Sequence, residues 1–210
     1  MRGAGGSLRL ARLHRPNRLL RTEGAQAMKE IKTRDPSFEL AGFLRGLQKD
    51  IPKAWHDASS SRLLCTLAQP LSVPPLQIIQ AYLKGDVELL KAHCSKEMVE
   101  RLSGIIAALK AQGHIPDPTI LYTSDVQLVD VKFLENEPIV VVQFACQQLD
   151  CVRDSFGNVV EGAADRIQQV HYAWALQQEE HGFVDEATGK WRPPRWQLRE
   201  MLIRGAVPLI

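Results

Sequence analysis

Little in this chain of 210 residues is arranged for chemistry. It contains no GxGxxG, no GxSxG, no GxxxxGK[ST] and no HExxH, so nothing cradles a phosphate, presents an elbow nucleophile or grips a catalytic zinc in the usual way. Its six histidines, His14, His56, His93, His114, His171 and His181, show no metal-ligand spacing. Its four cysteines, Cys65, Cys94, Cys146 and Cys151, form no CxxC pair and read as reduced, small, mostly buried residues of a reducing compartment. Cys146 and Cys151 are separated by an odd offset, which on a regular strand points them to opposite faces. Long apolar runs are also missing. Stretches such as Gly104–Leu109 and Ile139–Val142 fall far short of the ~18 residues that span a bilayer. No cofactor and no metal is implied.

What is present is an ordinary globular composition, 45% hydrophobic and 24% charged, with its charge unevenly placed. Residues 1–22 hold six arginines (Arg2, Arg9, Arg12, Arg15, Arg18 and Arg21) and no acid. The remaining twenty bases meet twenty-four acids, which leaves residues 23–210 at −4. Nucleic-acid binding is therefore not expected, because phosphate affinity needs the basic surplus on the folded part. The arginines of the leader are interleaved with Leu8, Leu10, Leu13, Leu19 and Leu20, the acid-poor amphipathic pattern of a mitochondrial transit peptide, and residues 1–27 are taken as that leader.

The rest of the chain divides by period. Residues 28–52 form an amphipathic unit. Leu40, Phe43, Leu44, Leu47 and Ile51 make one apolar stripe over Glu39–Ile51, with Ser37 as the expected cap and Pro52 as the stop. Arg45, Gln48 and Lys49 lie opposite, and Lys29, Lys32 and Arg34 lie upstream. Such a stripe covers a core or lies in a membrane interface, and periodicity alone favours the core. Residues 53–75, with Ser59, Ser60, Ser61, Pro70, Pro74 and Pro75, read as a loop or insertion. From 76 onward helices come first. Leu76–Lys84 closes on Gly85, Asp86 caps a short helix, and Ser95 caps a third helix with Met98, Leu102, Ile105, Ile106 and Leu109 on one side. Then the period changes to two. Ile120–Leu134 has a parity slip that predicts a bulge near Leu128. Pro138–Arg153 puts Val140, Val142, Phe144 and Cys146 on one face. Arg166–Gln178 does so with Val170, Tyr172, Trp174 and Leu176, and Arg195–Leu202 brings Trp196 and Leu198 inward. Helices followed by strands predict an α+β fold with helices on one face of a four-stranded antiparallel sheet. Tyr122, Asp125, Asp130 and His171 fall on these strands. Nothing pairs them, so solvated strand residues are the expectation.

Five short motifs occur in order: Met28-Lys29-Glu30-Ile31 through Asp35-Pro36-Ser37-Phe38; Ala81-Tyr82-Leu83-Lys84-Gly85-Asp86-Val87; Cys151-Val152-Arg153-Asp154 with Gly157 and Glu161-Gly162; Tyr172-Ala173-Trp174-Ala175; and Trp196-Gln197-Leu198-Arg199-Glu200-Met201. Together they resemble the carboxy-terminal domain of the Tim44 family of mitochondrial inner-membrane import-motor subunits, plant and algal members foremost, over residues 28–203. The resemblance implies a cone-shaped domain of the nuclear-transport-factor-two type with a deep apolar groove, covering 76–210. It implies a peripheral scaffold of protein import at the matrix face of the inner membrane, attaching the import motor to the presequence translocase, and no enzyme activity. It assigns Ala27–Arg34 and Glu39–Ile51 to membrane contact, with Lys29, Lys32, Arg34, Leu40, Phe43, Leu44 and Leu47 on cardiolipin-rich lipid. The expected partners are that membrane and the translocase channel subunits. The matrix heat-shock chaperone is not expected to bind usefully, since the family's long charged arm ahead of the membrane helices is represented only by residues 1–27. A membrane anchor of the mitochondrial ribosome and a cone-fold isomerase or dehydratase are the alternative functions. The ribosomal one calls for more surface base, the enzymatic one for an inward-facing Asp–His or Asp–Tyr pair.

Overall fold

A computed structural model of the chain describes residues 18–48, 75–186 and 188–209. The expectations for residues 1–17 and for the segment 53–74 lie outside them, as does Ile51. Among the described residues, five helices are followed by eight strands: α1 (Arg18–Arg34), α2 (Leu40–Gln48), α3 (Pro75–Lys84), α4 (Val87–His93), α5 (Lys96–Ala111), then β1 (Ile115–Pro116), β2 (Ile120–Thr123), β3 (Gln127–Leu134), β4 (Glu137–Arg153), β5 (Val159–Gln178), β6 (Phe183–Val184), β7 (Trp191–Arg192) and β8 (Trp196–Pro208). The α+β reading is correct.

The expected four ribbons are present. β1, β2 and β3 succeed one another along one side of β4, β5 pairs with the other side, and β8 pairs with β5, all antiparallel. The first ribbon is not one continuous strand from Ile120. It breaks at Ser124, whose hydroxyl accepts from Ala145 N (2.9 Å) in place of a neighbouring carbonyl. The bulge expected near Leu128 falls between Leu128 and Asp130. Two strands are longer than alternation suggested. β5 begins at Val159 rather than Arg166, because the polar stretch through Glu161 and Gly162 completes the ladder to the end of β4. β8 runs on to Pro208.

Gly162 carries that extension. Its φ of +74° is the left-handed region that favours glycine, and a Cβ there would run into the carbonyl of Asp150. No other residue type fits where the ladder shifts between Leu149 and Cys151.

The core lies between helices and sheet. Val140, Val142, Phe144 and Cys146 of β4 and Val170, Tyr172, Trp174 and Leu176 of β5 are all buried on one face, as the alternation predicted. Leu90, Met98, Leu102 and Ile106 cover them from α4 and α5, whereas Ile105 is exposed. The caps are as read: Asp86 accepts from Leu89 N (3.1 Å) and Ser95 from Met98 N (3.3 Å). Gly85 and Gly113 follow α3 and α5 with φ of +70° and +71°. The α4–α5 junction is strapped to the start of β8, where Ser95 N donates to Leu198 O at 2.9 Å.

Candidate functional site

The residues assigned to lipid sit on an amino-terminal helical arm, α1 and α2. α1 extends well ahead of the expected start at Ala27, back to Arg18. Within the arm, α1 lies along β3. Ala27 and Ile31 are fully buried, and Glu23 accepts from Phe133 N at 3.4 Å. The approach is close: a Cβ on Gly24 would sit 2.9 Å from the carbonyl oxygen of Val131. α1 ends in a tight turn at Asp35, a buried carboxylate that accepts from Ser37 N (3.0 Å) and Ser37 Oγ (2.6 Å). Ser37 is thus taken by Asp35 and does not cap α2. The helix starts later, at Leu40, with Glu39 O accepting from Phe43 N at 2.8 Å.

α2 then turns its apolar stripe onto Trp196. Ring centroids lie 4.6 Å apart for Phe43–Trp196, 5.3 Å for Phe38–Trp196 and 5.5 Å for Phe38–Phe43. Phe43 and Leu47 are buried, and Leu40 and Leu44 pack partly buried against the same core. These are the four side chains expected on a membrane surface. With α2 seated, they face the protein, because the aromatic corner of β8 offers the apolar surface the stripe needs. Arg34 is also engaged. Its side chain is only 12% exposed and donates to Glu137 (2.8 Å) and Glu30 (3.4 Å). Burial opposes its charge, but these two carboxylates outweigh burial and raise its pKa. Lys29 and Lys32 alone of the seven are exposed bases on the outside of α1.

The seat of α2 has one flaw that no sequence pattern marks. The indole N–H groups of Trp174 and Trp196 and both polar atoms of the Gln178 carboxamide are buried without a hydrogen-bond partner. Gln178 lies opposite Trp196 in the ladder, so these two meet at the end of the sheet that α2 covers, while Trp174 stands four residues away along β5, opposite Met201. Each unsatisfied group costs about 1–3 kcal/mol relative to a hydrated one.

Two open cavities lie elsewhere. A groove of about 560 Å³ crosses the sheet and is lined by Asp125, Gln127, Gln143, His171, Arg204 and Val207, among others. A polar recess of about 360 Å³ beside the β3–β4 turn is lined by Glu97, Glu135, Glu137, Glu179, Glu180 and Arg199, among others. In the recess Arg199 bridges Glu97 (2.7 Å) and Glu135 (2.8 Å), tying β8 to α5 and to the turn. Neither is built for acid–base work. Tyr122, Asp125, Asp130 and His171 are exposed, Asp130 accepts from Val131 N, and His171 pairs with Gln169 at 3.2 Å. Inside, the Tyr172 hydroxyl accepts from Gln148 (2.8 Å), and burial raises its pKa well above the ordinary phenol value. No Asp–His or Asp–Tyr hydrogen bond and no cluster fit for a metal occurs among the described residues. Burial pushes the thiols of Cys94 and Cys146 up to about 12 and about 11, so both stay protonated and unreactive at neutral pH.

Comparison with known proteins agrees with the architecture. The model of the Tim44-like domain family matches residues 76–202. The mitochondrial import inner membrane translocase subunit TIM44-1 of Arabidopsis thaliana is 33% identical over 192 residues, 91% of this chain and 35% of that protein. The TIM44 subunits of Mus musculus and Saccharomyces cerevisiae are 28% and 25% identical over 74% and 81% of this chain, and 29% and 35% of their own lengths. The chain thus spans about a third of the length of these relatives.

Proposed function

The chain belongs to the Tim44-like domain family, and on that premise we propose that it is a peripheral scaffold of protein import at the matrix face of the mitochondrial inner membrane. The observation that carries this reading is the similarity to an import translocase subunit over 91% of the chain. The geometry supports a scaffold rather than a catalyst, since the inner face of the sheet is packed with side chains and the two cavities described hold no Asp–His or Asp–Tyr pair. No described helix is long and apolar enough to cross a membrane, which accords with a surface-bound role. Affinity capture of the tagged chain from solubilised mitochondria is expected to recover presequence-translocase channel subunits. Recovery of ribosomal proteins alone would move the assignment to a ribosome anchor.

The lipid contact we propose has two stages. Lys29 and Lys32 meet anionic headgroups first, each worth about 1 kcal/mol near such a surface. Leu40, Phe43, Leu44 and Leu47 reach the acyl region only if α2 leaves Trp196. That exchange is eased because the orphaned Trp196 N–H then gains water or a headgroup acceptor. Arg34 stays with Glu30 and Glu137. Vesicles containing cardiolipin should retain the chain less well as salt rises. The double variant Lys29→Glu, Lys32→Glu should release it while leaving the fold intact. Retention unchanged in that variant would remove the arm as the anchor.

A further inference from the structure

At the sheet end remote from Trp196, the β4–β5 hairpin closes through a turn held by a network of hydrogen bonds. Asp154 is its centre. One carboxylate oxygen accepts from Phe156 N (2.8 Å) and Asn158 N (2.9 Å), and the other from the Asn158 amide (2.9 Å). Asp154 N donates to Asn158 O, Gly157 N donates to Asp154 O, and the Arg153 guanidinium closes on Gly157 O at 3.2 Å. This rigid turn holds a phenylalanine out in solvent: Phe156 is 89% exposed, the most exposed large hydrophobic residue described.

Phe156 is not isolated. Arg153 pairs with Ile115 on one side and with Val159 on the other, so Ile115 and Val159 stand on the same face of the sheet next to the turn. Both are exposed, as is Val160 in the adjacent bulge. Single exposed hydrophobics are common, but several gathered round an aromatic on an ordered turn are the anatomy of an interface anchor. Pre-organisation matters here, because a Phe already held in its binding geometry loses little entropy on docking.

The charges around the tip say what the anchor meets. The Asp154 carboxylate is held ionised by its bonds to Asn158, Phe156 and Gly157. Glu161, opposite Val152 beside the turn, and Asp165, further along β5, are both exposed. Of the two bases near the tip, Arg166 pairs with Asp150 at 3.4 Å, whereas Arg153, between Ile115 and Val159, donates to the neutral Gly157 carbonyl and keeps its charge, so three acids, Asp154, Glu161 and Asp165, meet one uncancelled base. A tip with this balance is repelled by an anionic bilayer and drawn to basic side chains.

We propose that the β4–β5 hairpin tip is a protein-docking knob, with Phe156, Ile115 and Val159 entering an apolar pocket rimmed by basic side chains on a subunit of the import channel. The proposal rests on the import reading above and adds which surface of this chain makes the contact. It places membrane attachment and channel attachment at different points of the chain, α1–α2 for one and the hairpin tip for the other.

The test uses the full tagged chain in mitochondria, with a photo-reactive benzoylphenylalanine at position 156 and, separately, Phe156→Ser. The photo-probe is expected to cross-link to a channel subunit. Phe156→Ser should cut recovery of channel subunits by about tenfold or more, the scale of a hot-spot anchor. Its thermal unfolding and its retention on cardiolipin vesicles should match those of the parent. Glu161→Lys with Asp165→Lys should weaken recovery in the same direction. Undiminished recovery by a folded Phe156→Ser overturns the knob and leaves the import reading intact. Release of that variant from vesicles makes the tip a lipid anchor and also overturns it. If the unsubstituted chain recovers no channel subunit, the import reading falls and the knob falls with it.

Discussion

The two helical units of this domain are held to the same sheet by different means. α3, α4 and α5 are joined by short capped connections: Asp86 closes the start of α4, Ser95 the start of α5, and a main-chain bond from Ser95 to Leu198 fixes the junction against β8. α2 has no backbone bond to the sheet among those described and is held by its apolar side chains, chiefly Phe43 on Trp196, with Phe38 beside it. α1 lies between these cases, bound by buried Ala27 and Ile31 and by the Arg34–Glu137 pair. Apolar contact is non-directional, so it transfers from a protein surface to a lipid one without loss of kind. A capped and strapped helix has no such freedom. In the lipid contact proposed above, α2 is the element that would change partner, and α3–α5 with the sheet are what it would leave behind.

The largest effect that would break this contrast is at Trp196. Trp196→Ala removes the surface that both Phe38 and Phe43 rest on, and the cost is expected at about 3 to 5 kcal/mol. If α2 is the separable element, hydrogen exchange should show its amides losing protection far more than those of α5. Ser95→Ala is the control. It removes one cap at about 1 kcal/mol, and that loss should appear as a lower midpoint of global unfolding without selective opening of α2. Equal loss of protection in α2 and α5 for Trp196→Ala would mean that the two units unfold as one.

Legibility in the sequence followed the same division. The α3–α5 unit was readable because its signals are local: Asp86, Ser95, Gly85 and Gly113 act on their own backbone neighbours. The buried faces of β4 and β5 were readable because the large apolar side chains of Val140, Val142, Phe144 and Cys146 and of Val170, Tyr172, Trp174 and Leu176 recur at every second position. The extension of β5 through Glu161–Arg166 was not, since those residues carry no large apolar side chain, and Glu161 and Gly162 pair only because β4 continues beside them. Nor could the destination of the α2 stripe be read. A period of 3.6 says that one face is apolar but not what covers it, and here the answer depends on Trp196, some 150 residues away. Ser37 shows the converse, a good cap residue drawn off by Asp35 two positions earlier. The orphaned Trp and Gln groups and the exposed Phe156 carry no sequence signature at all; only the packed structure separates a tryptophan with a partner from one without.

The smallest predicted effect separates the two units by pH. His93 ends α4 and is half-buried; burial first, and then the charge of Arg195, lower its pKa below the ordinary value near 6.5. The neutral imidazole is therefore the form that fits the folded domain, and the unfolded chain binds the proton more readily. Stability from this group is complete above the unfolded value and is lost as the pH falls through the lower folded value. Acidification from pH 7 to 5 should thus lower the unfolding midpoint of the parent more than that of His93→Gln, which cannot take up the proton. The difference should vanish above pH 7. Because His93 belongs to the capped unit, exchange protection should fall in α4 and at the Ser95 strap, while the contact between Phe43 and Trp196 is untouched. A parent and variant with the same acid dependence would show that the imidazole is already hydrated, and that the α4–β8 junction is more open than its burial implies.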